Sequence, residues 1–96
     1  MHAVIRRDRV AEPVRQAELV RRISQGLAPR LGQLPGCAAC AVVAGEDGSV
    51  AVVGLFADRA GAVAAARLAG TWVTTEVAAL VDGAPDVLLG EATPHR

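Results

Sequence analysis

From Cys37 to Phe56 the chain is apolar almost without a break: Cys-Ala-Ala-Cys-Ala-Val-Val-Ala, a polar turn Gly45-Glu46-Asp47-Gly48, then Ser-Val-Ala-Val-Val-Gly-Leu-Phe. A strand with one wet face alternates apolar and polar residues, whereas strands covered on both faces lose that alternation. The pattern predicts a β-hairpin with both faces buried, its strands joined by a short glycine-bounded turn. Residues 1–10 read as an earlier strand, with Ala3, Ile5 and Arg7 on one face and Val4, Arg6 and Asp8 on the other.

Two helices complete the pattern. Glu12-Pro13 opens the first, since proline at the first helical position loses no intrahelical hydrogen bond. Val14, Ala17, Val20, Ile23, Leu27 and Leu31 follow at spacings of three and four and make one apolar stripe. Pro29 lies inside that stripe and predicts a kink or an end of the regular helix just after Gly26. Asp58 is the candidate cap of a second helix from about residue 60 to 81, marked by Val63, Arg67, Leu68, Trp72, Val77 and Leu80 and stopped by Asp82-Gly83-Ala84-Pro85. Its alanine-rich first half, Ala62 to Ala66, suits close approach to a sheet. Asp86 to Ala92 is a fourth strand.

The order βαββαβ is that of a ferredoxin-like α+β fold, a four-stranded antiparallel sheet with two helices on one face, in a single domain over residues 1–96. Both helices cover one face, and the other face is apolar too. At roughly 25 cal/mol per Å², several hundred Å² of wet apolar sheet is worth on the order of 10 kcal/mol before association costs. A homodimer joined through the helix-free face is the expected closure.

Charge and composition narrow the function classes. Ten basic and ten acidic residues give a formal net charge of zero, and aromatic residues are 2% of the chain. Nucleic-acid binders need a basic surface or stacking rings, so nucleic acid is not an expected partner. No stretch reads as a membrane span or signal peptide, and a cytoplasmic location is expected. Two cysteines are too few for a disulfide framework.

Several segments together resemble the dimeric α+β-barrel superfamily, and within it the small proteins similar to antibiotic biosynthesis monooxygenases. They are Val4-Ile5-Arg6-Arg7, Leu34-Pro35-Gly36, Phe56-Ala57-Asp58-Arg59-Ala60-Gly61-Ala62 and Arg67-Leu68-Ala69-Gly70-Thr71-Trp72-Val73. The resemblance spans nearly the whole chain. It implies two sheets paired face to face into a barrel, and a small-ligand cleft between each sheet and its helices. It also implies cofactor-independent oxidation of an aromatic or quinol-type small molecule by molecular oxygen, with no bound cofactor or metal. Active relatives carry an asparagine on the second helix beside a tryptophan, and often tyrosines in the cleft. This chain has Trp72 but no asparagine and no tyrosine, with Ala65, Ala66 and Arg67 in the region of the amide.

The candidate ligand-binding residues are therefore Trp72, Arg67 and Asp8, and no catalytic residue is assigned. Trp72 either stacks on a flat ligand or plugs a core otherwise built from alanine and valine. Arg67 either meets an anionic oxygen or snorkels on the surface. Cys37-Ala-Ala-Cys40 has redox or metal spacing, but on a regular strand positions three apart project to opposite faces, which predicts two separate core thiols. His2 and His95 alone make an incomplete metal site. Two function classes stand: a monooxygenase-like enzyme, and a noncatalytic dimeric module that binds a small ligand or assists a partner.

Overall fold

The computed structural model describes residues 1–95. Strands β1 (His2–Val10), β2 (Cys37–Ala44), β3 (Val50–Phe56) and β4 (Val81–Glu91) form one antiparallel sheet in the order β2-β3-β1-β4, with helices α1 (Gln16–Gly32) and α2 (Arg59–Glu76) in the two crossovers. This is the ferredoxin-like arrangement. The barrel is not there: the sheet is open, and β2 and β4 are edges separated by two strands. Four strands are too few to bring those edges together, so the barrel part of the expected fold is overturned.

Local chemistry explains the elements and where they depart from the sequence pattern. Asp58 caps α2, its carboxylate accepting from the Gly61 amide at 2.9 Å. That satisfies one of the amides a helix start leaves without a partner. Helix α1 runs through Pro29 without ending. The carbonyl deprived of its partner is that of Gln25, an exposed residue, while Leu27 and Leu31 on either side of Pro29 are buried. The expected stripe shifts phase at its start, because Pro13–Arg15 is a 3-10 turn. Val14 and Ala17 are left exposed, and the buried line is Leu19, Ile23, Leu27 and Leu31 at a strict spacing of four. Helix α2 ends at Glu76, a 3-10 turn at Ala78–Leu80 follows, and β4 begins at Val81, five residues before its expected start.

The hairpin turn is held by side chains as well as backbone. Asp47 Oδ1 accepts from the Ser49 hydroxyl at 2.6 Å and the Ser49 amide at 3.0 Å, which holds its carboxyl below the usual range. Gln16 Nε2 donates to the carbonyls of Gly45 and Ser49, tying the start of α1 to the turn.

Both helices lie on one side of the sheet. Val4, Val50, Val52 and Phe56 meet the α1 line and the Ala62, Ala65, Ala69, Trp72 and Val73 face of α2 to form the core. The opposite side carries no helix. Its middle row, Ala41-Val53-Ile5-Leu88, is wholly apolar, and Ala39-Leu55-Ala3-Gly90 runs beside it. Leu88 is 64% exposed there. No helix among the described residues is long and apolar enough to cross a membrane.

Candidate functional site

Arg6 and Asp8 are consecutive inward positions of β1 and face the helices, because Arg6 pairs with core Val52 and Asp8 with core Val50. Arg6 Nε donates to Asp8 Oδ2 at 2.9 Å and Nη2 to Oδ1 at 3.2 Å. Side-chain exposures are only 12% and 4%. A forked, two-bond contact of this kind fixes the guanidinium in one plane as well as neutralising it. Above it sits Gly70 of α2: a methyl group there would stand 3.6 Å from Arg6 Nη1, with no closer contact.

The same row of the sheet continues to β4, where Val87 pairs with Arg6. Val87 is on the helix side and yet 51% exposed. Helix α2 packs mainly on β1 and β3, so the helix side of β4 is left with Val87 bare and Leu89 half-buried. The helix side of β4 is thus an uncovered apolar shelf, with Arg6 beside it in the same row of the sheet.

The three sequence candidates are placed differently. Asp8 is the carboxylate that holds Arg6. Trp72 is 7% exposed, and its ring lies against Gly26 of α1. Arg67 is exposed on α2, five residues before Trp72, which puts the two side chains about 140° apart around the helix. Asp8 thus meets Arg6, and the Trp72 ring meets Gly26. Arg6 and Gly70 are site residues that the sequence candidates omitted. The signal for Arg6 was its inward register beside Val4 and Asp8, obscured because four charged residues run together from Arg6 to Arg9.

Two recesses lie elsewhere. One of about 280 Å³ opens beside the hairpin turn between Arg7, Arg9, Asp47 and Asp82. Another of about 330 Å³ is lined by Leu34, Pro35, Gly36, Asp58 and the first turn of α2. Neither is lined by Trp72, Arg67 or Asp8.

The cysteines depart from expectation. A bulge at Ala38 makes Cys37 pair with Phe56 and Ala39 with Leu55, so Cys40 falls opposite Gly54. Phe56 and Gly54 face the helices, and both thiols therefore share that side instead of opposing one another. Both are free and half-buried, and burial first, then the neighbouring Cys37, pushes the Cys40 thiol up. No cluster of three or more His, Cys, Asp or Glu side chains is placed to hold a metal ion among the described residues.

An open four-stranded antiparallel sheet with two helices on one face defines the class of fold, and solved structures share that fold. No family model and no curated protein matches the chain by sequence. A protein of unknown function from Nitrosomonas europaea is similar at TM-score 0.80 and 22% identity, over 99% of this chain and 91% of that one. An antibiotic biosynthesis monooxygenase is similar at TM-score 0.69 and 22% identity, over 98% and 100%. A monooxygenase of Streptomyces coelicolor, solved with nanaomycin D, is similar at TM-score 0.72 and 17% identity, over 98% and 92%. At these identities the likeness is one of fold.

Proposed function

We propose that this chain is a cofactor-independent, monooxygenase-like protein that takes an aromatic or quinol-type small molecule in the cleft between α2 and the sheet and works as a homodimer. The observation that carries the reading is the uncovered helix side of β4. Val87 is half exposed in the same row as the buried Arg6, so a flat ring laid on the shelf would have apolar contact below it and a fixed cation at its edge. Oxidation without a cofactor draws its electrons from the substrate, and the protein's part is to hold the ring, exclude water and stabilise negative charge on it. Asp8 serves by fixing Arg6, Trp72 by filling the space behind α2, and Arg67 by standing free at the helix surface. The monooxygenases of the same fold support this choice of chemistry. The dimer joins the two helix-free sheet faces, burying the Ala41-Val53-Ile5-Leu88 row on both subunits.

A second reading rests on Trp72. Its ring is packed against Gly26 and lines neither recess, as expected of a core plug in a noncatalytic ligand-binding or accessory module. Oxygen uptake by the purified protein, measured with a panel of polycyclic quinols, separates the two. Saturable, protein-dependent uptake above the rate of the quinol alone is expected. Saturable binding with no uptake gives the second reading; neither binding nor uptake defeats both.

A further inference from the structure

We propose that Arg6 Nη1 is the ligand's hydrogen-bond donor in this cleft, and that the ligand is a planar aromatic oxyanion, its ionised oxygen in or near the plane of the ring. This rests on the cleft assigned above. Two of the three guanidinium nitrogens are committed, Nε and Nη2 to the two oxygens of Asp8. Nη1 has no acceptor among the described residues, and no side-chain nitrogen or oxygen among them is both sealed from solvent and unpaired. So Nη1 is reached from outside, and the side on which it lies is that of Gly70, where the helix carries no side chain.

The arrangement suits an anion for three reasons. The donor is charged, and hydrogen bonds to charged donors are about twice as strong as neutral ones. Asp8 holds the guanidinium in place, so little side-chain freedom remains to be lost on binding. Val87 and Leu89 give the ring an apolar floor, so it enters beside the helix while its oxygen reaches inward. Arg67, the cation nearest in sequence to Gly70 on α2, is exposed and without an ion pair at its guanidinium among the described residues, and holds no comparable fixed geometry.

Calorimetric titration with 2-naphthoate and 2-naphthamide tests the assignment, since the two differ in charge and hardly in shape. The wild-type protein should bind naphthoate about tenfold or more tighter than the amide. Removing Arg6 alone would strand a buried carboxylate, so the variant is Arg6→Gln with Asp8→Asn, and in it the preference should vanish. A second variant, Gly70→Leu, keeps the ion pair and fills the approach, and should weaken both compounds at least tenfold while circular dichroism stays unchanged. Equal affinities in the wild type, or a preference that survives the double substitution, overturn the role of Arg6 and leave the cleft standing. Undiminished binding by Gly70→Leu overturns its location. No saturable binding of either compound overturns both this inference and the cleft.

Discussion

Trp72 occupies the space that a side chain at Gly26 would need: a methyl group on Gly26 would stand 2.5 Å from Cζ2 of the ring. The two helices can therefore close on one another only because α1 carries a glycine at that point. Alanine would ordinarily strengthen a helix interior, yet here the steric term decides. Overpacking costs about 1–3 kcal/mol, against about 1 kcal/mol recovered in helix propensity. Gly26→Ala should lower stability by about 1 kcal/mol in denaturant unfolding and shift Trp72 emission to the red. Gly32→Ala, where nothing stands within 4 Å, should leave both unchanged or slightly improved.

Asp8 is almost completely buried, and its carboxylate is compensated by Arg6. Asp8→Ala should destabilise by about 3–5 kcal/mol, because it leaves the guanidinium without its counter-charge on the helix side of the sheet. Replacing both partners by apolar residues, Arg6→Met with Asp8→Leu, should recover most of that loss. Chemical denaturation of the three proteins checks it; a double variant no better than Asp8→Ala would show that the pair is not the source of the cost.

Leu88 stands on the edge strand β4, at the end of the middle row of the helix-free face, and is 64% exposed within its own subunit. Leu88→Asp should therefore spare the subunit fold and split the dimer, giving monomers at low micromolar concentration in sedimentation velocity where the wild type sediments as a dimer. A wild-type protein that is already monomeric there would remove the dimer from the proposed function.

The Cys40 thiol is held protonated by burial and by its neighbour Cys37, so its folded-state pKa lies above the unfolded one. Such a group contributes stability fully below the unfolded thiol range and loses it as pH climbs through the folded pKa. Lysine and tyrosine are absent from the chain, so little besides the thiols titrates on that limb. Thermal unfolding from about pH 8.5 upward should show wild-type stability falling, with a shallower slope in Cys40→Ala.

The sequence was most legible where the physical signal is repeated. Proline at the start of the first crossover, Asp58 at the start of α2 and the unbroken apolar hairpin each announce an element through chemistry that acts within a few residues. The α1 stripe was half legible: Ile23, Leu27 and Leu31 stood out, but the 3-10 turn at Pro13–Arg15 changed the angular count before them. The Ala38 bulge had no signal at all, since an extra alanine in a run of alanines alters neither hydropathy nor propensity. Yet it rotates Cys37 to the side of Cys40 and reverses what the spacing implied about the thiols. The candidate site was least legible, because Arg6 owes its importance to burial against α2, which a run of four charged residues hides.

That same bulge has a consequence for how the chain behaves in a crowded solution. The outer edge of β2 runs from Cys37 to Ala44 without one charged or proline residue, and its backbone amides and carbonyls have no partner strand on that side. The other edge, β4, is protected by Pro85, which cannot donate, and by Gly83 at φ +69, which breaks the regular line. On β2 the irregularity at Ala38 is the one device that spoils the template for an incoming strand. Removing it by deleting one alanine would straighten the edge into a self-complementary ribbon, and polymerisation by strand addition would then compete with the folded, soluble state.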